Sequence, residues 1–183
     1  MPVPNKILLT TSRNPTPKIR SFCHDLTRVM PNTIYVNRGK MSNDEVAEKT
    51  MEYNADRLVI VDRWHEGLGV LRLLKTNGSG LTRASLTIFF LGVLQRELGV
   101  SKVKPTISIT TSTSDRSSEL VKLANALSDF LGLPIIEENT AHMVGGTVMH
   151  ISPDSKGKIE ATFMALPEHV EIGPKIVVSR LEW

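Results

Sequence analysis

The chain has 183 residues, 40% of them apolar before its 12 glycines are counted, and 22 Lys plus Arg against 19 Asp plus Glu, a formal charge of +3. That is the balance of an ordinary folded protein, long enough for one sizeable core or two small joined ones, and it excludes a disordered chain. The single cysteine, Cys23, excludes an intramolecular disulfide framework and a Cys-rich zinc module; no apolar run reaches the roughly 18 residues of a membrane span, and MPVPNK is no signal peptide, so a cytoplasmic location is expected.

In chain order, ILLTTS at 7–12 predicts a strand, and Ile19, Phe22, Cys23, Leu26, Val29 and Met30 follow at helical spacing on one apolar face. Thr16 before Pro17 is the expected N-cap and first helical position. Cys23 lies inside this stripe, as a small packing residue does, and no catalytic thiolate is expected there. Pro31 ends the helix, and TIYV at 33–36 reads as a second strand. Ser42 and Glu45 have capping-box spacing and open a helix from about Asn43 to Tyr53. RLVIVD at 57–62 has the uninterrupted apolar centre of a strand buried on both faces, so the β-α-β-α-β order predicts parallel pairing. Val70–Leu74 and Leu86–Phe90 then flank NGSG at 77–80 as an antiparallel hairpin.

A polar join near Gly99–Pro105 leads into a second copy. ISITTS at 107–112 repeats ILLTTS at an offset of 100 residues, and after a one-residue insertion Leu120, Leu123, Ala124, Leu127, Phe130 and Leu131 repeat the helical stripe. Gly132 ends that helix and PII at 134–136 stands where TIYV stood. Residues 139–146, NTAHMVGG, have no helical period, so no second helix is expected in this copy. TVMHIS at 147–152 and IEATFM at 159–164 predict a hairpin around PDSKGK, and a last strand near Lys175–Ser179 follows the Gly173-Pro174 turn. The expected architecture is α/β: two sequence-related lobes, 1–100 and 101–183, each a mixed β-sheet with helices, packed together and unfolding as one unit.

The charge is unevenly divided. Residues 1–100 hold 14 basic and 9 acidic side chains, net +5; residues 101–183 hold 8 and 10, net −2. The first forty residues carry Lys6, Arg13, Lys18, Arg20, Arg28, Arg38 and Lys40 against Asp25 alone, which suits a phosphate-bearing partner. Nine aromatic residues are too few to favour base stacking on a sheet. The strongest constellation is TTSRNPTPKIR at 10–20, where the hydroxyls of Thr11 and Ser12, free backbone N–H groups and the positive helix end converge beside Arg13, Lys18 and Arg20. Arg38, Lys40, Arg63 and Arg83 complete the expected RNA-contact set. In the second copy Thr113 replaces Arg13 and Asp115 enters the loop, so the matching place is far less cationic.

Enzyme signatures are absent: no Walker A sequence, no HExxH, no G-x-S-x-G and no complete dinucleotide fingerprint. The five histidines are scattered, none paired at metal-ligand spacing. No catalytic residue, metal or cofactor is expected; a small enzyme using Asp62, His65 and Glu66 at a strand end is the weakest alternative.

TTSRNP, the stretch ADRLVIVDRWHEGLGVLRLLKTNGSGLTRASLTIFFLGV and the closing EIGPKIVVSRL together resemble the Brix domain family of ribosome-biogenesis proteins, over nearly the whole chain. With no long charged tails, the chain is similar to the short archaeal members. The resemblance implies a duplicated α/β fold, each half similar to the anticodon-binding domain of class II aminoacyl-tRNA synthetases. It also implies a non-catalytic scaffold or chaperone that binds ribosomal RNA or pre-rRNA during rRNA processing and subunit assembly, with ribosome-assembly proteins as further partners and no membrane; in a eukaryotic cell the location would be nucleolar. Where many members have Gly-Pro-Thr, this chain has Gly80-Leu81-Thr82-Arg83. The alternative of another class is a protein-interaction adaptor that recruits assembly factors through its second lobe.

Overall fold

The computed structural model describes residues 5–63, 69–77, 80–81, 85–98, 104–112 and 117–183. Strand β1, Ile7–Thr11, is buried along its whole length. Helix α1, Pro17–Val29, starts where expected: the Thr16 hydroxyl accepts the Ile19 N–H at 3.3 Å, and Pro17, which has no N–H to satisfy, takes the first turn. It buries Ile19, Phe22, Cys23, Leu26 and Val29, the stripe read from the spacing. After β2, Thr33–Tyr35, helix α2, Asn43–Glu52, is closed by a reciprocal capping box: Glu45 N–H donates to Ser42 Oγ at 3.2 Å and Ser42 N–H to Glu45 Oε2 at 2.6 Å. Strand β3, Arg57–Arg63, pairs parallel with β1, as does β2 on the other side.

Strands β4, Gly69–Asn77, and β6, Leu86–Val93, pair antiparallel as predicted, but a two-residue strand β5, Gly80–Leu81, first folds back onto the end of β4. Residues 78–79 of the NGSG turn lie outside the described residues, as do 99–103 of the join. A short 3-10 helix, Gln95–Leu98, follows β6. The second copy opens with β7, Thr106–Thr111, and helix α3, Ser118–Leu131, which Ser117 caps at the Leu120 N–H and which Gly132 ends in the left-handed region at φ 67°.

Two expectations are corrected here, and a third is met and extended. PII at 134–136 is no strand; it gives a single parallel bridge, Ile109 to Ile135, on the outer side of β7. Residues expected to lack a helix form α4, Glu138–Val144, which buries only Ala141, so two short turns left no period to read. The predicted second hairpin is β8, Gly146–Pro153, and β9, Ile159–Leu166, but β8 also pairs parallel with β7. It therefore occupies the place that β3 has beside β1. The chain closes with β10, Val170–Glu171, and β11, Lys175–Glu182.

The expectation of a separate mixed sheet in each lobe is corrected as well: all the long strands belong to one sheet, ordered β2-β1-β3-β4-β6-β11-β9-β8-β7, because β6 and β11 pair across the join. Its halves mirror each other about the antiparallel β6–β11 seam. Alternation along the strands sends Ile7, Leu9, Val59, Val61, Leu71, Leu73, Ile88 and Phe90 to one face, where they join Ile109, Ile151, Phe163 and the apolar stripes of both α1 and α3 in one core. The opposite face is covered near its ends: Val46 of α2 packs with Leu8, Leu58, Ile60 and Leu74, and Ala141 of α4 with Val148 and Leu166. Among the described residues no helix is long and apolar enough to cross a membrane.

Candidate nucleic-acid interface

Parallel strands β1 and β3 end side by side, and the Ser12 N–H donates to Val61 O at 3.0 Å across them. Beyond these ends, on the α2 side, lies a cleft of about 540 Å³ lined by Ser12, Arg13, Arg38, Asn43, Asp62 and Arg72, with Ile60 and Leu74 as its apolar floor. Three guanidinium groups thus meet one carboxylate. Arg72 and Asp62 are 3.6 Å apart, an ion pair open to solvent on both sides, and Asp62 Oδ1 also accepts the Arg63 N–H at 2.7 Å.

Arg38 is 4% exposed, yet its guanidinium is fully engaged on one side: Nε donates to Met41 O at 2.8 Å and Nη2 to Asn43 Oδ1 at 2.7 Å. Arg13, which is exposed, sends its Nε to the same carbonyl at 3.3 Å. Two cations therefore converge on the residue before the α2 cap. Burial first, and then the Arg13 charge, lower the Arg38 pKa, while Asp62 and Glu45 act the other way. The α2 start itself is not a vacant anion site, because Glu45 already accepts the Ser42 N–H, and that bond, helped by Arg13 and Arg38, holds its carboxyl below the usual value.

Of the expected contact residues, Ser12, Arg13 and Arg38 are brought together here. Lys18, Arg20, Lys40 and Arg63 are exposed, and Arg20 faces Tyr35 closely enough to oppose the rise that burial causes in the tyrosine pKa. Two details are corrected. Thr11 is fully buried with its hydroxyl donating to Ser12 O at 3.0 Å, so it shapes the strand end and presents nothing to a ligand. Free backbone N–H groups were expected along this turn, but that of Ser12 is committed to Val61 O. Arg83, His65 and Glu66, together with Thr113 and Asp115, lie outside the described residues.

Arg72 and Asn43 were not among the residues expected from sequence, and Asp62 entered only the enzyme alternative. Arg72 and Asp62 meet only through the β3–β4 register, which sets Ile60 opposite Arg72. The same register exposes the asymmetry of the two halves of the sheet. Thr10 pairs with Ile60 and Ile60 with Arg72; Thr110 pairs with His150 and His150 with Thr162. The second half thus has Thr162 where the first has Arg72 and, two residues beyond His150, Ser152 where the first has Asp62. His150 is held below the usual imidazole value, chiefly by burial, and its Nδ1 meets Thr110 Oγ1 at 3.0 Å. Histidines that are distant in sequence also meet: the His142 and His169 rings lie 4.1 Å apart.

No protein-family model matches the chain. A Methanopyrus kandleri protein named "Probable Brix domain-containing ribosomal biogenesis protein" is 31% identical over 130 residues, 70% of this chain and 67% of that relative. The chain belongs to the Brix domain family. A Brix domain relative from Pyrococcus horikoshii, with the same name, is 34% identical over 100 residues, 54% of this chain; the match spans 44% of that relative, less than half its length. The crystal structure of a probable ribosomal biogenesis protein from Aeropyrum pernix K1 superposes on this Brix domain with a TM-score of 0.77 over 95% of both chains, at 24% identity, and shows the shared fold.

Proposed function

We propose that this Brix domain acts in ribosome biogenesis by binding ribosomal RNA or pre-rRNA as a non-catalytic scaffold or chaperone, in the cytoplasm, with the first half as its main RNA-binding unit. The observation that carries the reading is the convergence of Arg13, Arg38 and Arg72 on one cleft with a single carboxylate, in a shape that admits phosphate oxygens. Exposed Lys18, Arg20, Lys40 and Arg63 extend the cationic surface, and Arg83 belongs to the same set. The second half, with Thr162 and Ser152 at the matching positions, supports the sheet and meets protein. In this reading residues 1–100 and 101–183 descend from one duplicated unit of the kind seen in class II synthetase anticodon-binding domains.

The test is a salt titration of binding to structured ribosomal RNA. Changing Arg13 and Arg72 to Ala together should weaken binding and flatten the log–log salt slope by about 0.7 to 0.9 for each phosphate that is no longer neutralised. An unchanged affinity and slope would overturn the reading. The adaptor reading is favoured by one observation: Met143 and Val144, at the end of α4 in the second half, are 89% and 66% exposed.

A further inference from the structure

Away from the cleft, at the other end of the sheet, three potential metal ligands from distant parts of the sequence come together. Glu138 and His142 stand four residues apart on α4, so their side chains rise from one face of that helix. His169 comes from the turn joining β9 to β10, where the antiparallel pairing of Val170 with Ala165 folds the chain back, and it occupies the left-handed region at φ 54°. The His142 and His169 rings are 4.1 Å apart with a 48° tilt. One ligand atom from each of the three residues lies within 4.8 Å of the others. Glu138 and His169 also lie within electrostatic reach of the half-buried His150.

The geometry points to a binding site for one divalent first-row transition ion, of which zinc is the best fit, held by Glu138, His142 and His169. Two imidazoles and one carboxylate suit a borderline ion. Magnesium and calcium favour all-oxygen shells, and a copper(I) site would call for sulfur. Zinc bonds of roughly 2.0 to 2.2 Å in a tetrahedral arrangement set ligand atoms roughly 3.4 Å apart, so binding requires ligand atoms now within 4.8 Å of one another to draw together by up to about 1.4 Å. Glu138 and His142 are half-buried and His169 is exposed, which leaves that freedom. Three protein ligands leave the fourth position to water or to an external donor.

The same ion would repair a weak element. A helix of seven residues has little stability of its own. α4 buries only Ala141, and its N-cap residue, Glu137, makes no side-chain capping bond. Bridging Glu138 and His142 to His169 ties that helix to the turn after β9, across a long stretch of intervening chain. The ion acts as a clip between α4 and the sheet, with no part in the arginine cleft.

The test is calorimetric titration of the untagged full chain with zinc chloride after removal of bound metal by EDTA, beside the variants His142→Ala, Glu138→Gln and His169→Asn. Asparagine tolerates left-handed backbone, so the last variant removes the imidazole while keeping the turn. The expected result is one ion per chain, an affinity at least tenfold lower in each variant, a thermal midpoint raised by zinc only in the unaltered protein, and metal-induced changes in the ring NMR signals of His142 and His169 but not of His24. No saturable binding to the unaltered chain, or binding that survives undiminished in both histidine variants, would overturn the site.

Discussion

Gly69 of β4 lies against the ring of Phe90 on β6, so closely that a Cβ at residue 69 would stand 2.7 Å from Cζ and 2.8 Å from Cε1. Gly92, further along β6, is in the same position toward Phe22 and Phe90, each at 3.0 Å, and the two ring centroids lie 4.9 Å apart at a 32° tilt. Both glycines make room for the Phe90 ring, and Gly92 also makes room for Phe22 of α1. Gly69→Ala should therefore destabilise the fold by about 1 to 3 kcal/mol, since a close-packed ring cannot move without displacing its neighbours. Urea unfolding would read this as a lower midpoint at constant slope.

Arg38 and Arg13 should separate stability from binding. Replacing buried Arg38 with Met removes its bonds to Met41 O and Asn43 Oδ1 and should cost roughly 1.5 to 3 kcal/mol, the range for hydrogen bonds involving a charged group. Arg13 is exposed, and Arg13→Ala should stay within about 0.5 kcal/mol of the parent. Both should weaken RNA binding. Thermal melts beside binding isotherms distinguish the two effects.

Burial pushes the Cys23 thiol up from 9.0 to about 12. Above pH 9 the unfolded chain releases this proton while the folded chain retains it, so stability is present below 9 and is lost as pH rises toward 12. The loss approaches roughly 1.4 kcal/mol per pH unit. Cys23→Ala should flatten that part of the profile and be otherwise mild, because Ala124 already fills the matching position on α3. Base titrations of stability for the two proteins check it, and alkylation of Cys23 at neutral pH should proceed only through unfolding.

The shared core predicts that residues 1–100 do not fold alone. Ile88 and Phe90 of β6 pack with Ile176 and Val178 of β11 and with the α3 stripe, and Lys75 of β4 bonds Asp129 of α3 at 2.7 Å. Without the second half, β6 becomes an open edge over an uncovered apolar face. The fragment should aggregate or lack a cooperative transition; a soluble fragment with a sharp melt would refute this.

The repeated strand ends, both amphipathic stripes and the Ser42–Glu45 capping box were legible in the sequence because each is a local pattern within one element. α4 was not, since seven residues with one buried side chain carry no period. The place of β8 escaped for another reason: a hairpin with β9 and a parallel pairing with β7 are both compatible with the same alternating pattern, and only long-range closure of the sheet selects both at once. Arg13 and Ser12 were visible as a charged turn. The Arg72–Asp62 pair was not, because the β3–β4 register that joins them is a property of the sheet. Glu138 and His142 have readable ligand spacing only once α4 is known to be a helix.

The β6–β11 seam also has a consequence in time. Of the described strands β11 is the last to be synthesised, yet it fills the middle of the sheet, between β6 and β9. During translation the β6 edge waits for a partner until almost all of this sequence has been made, and such late, non-local pairing folds slowly and leaves an aggregation-prone edge meanwhile. A nascent chain paused before Lys175 should therefore lack stable protection from hydrogen exchange in either half of the sheet, and both halves should gain it together once β11 emerges.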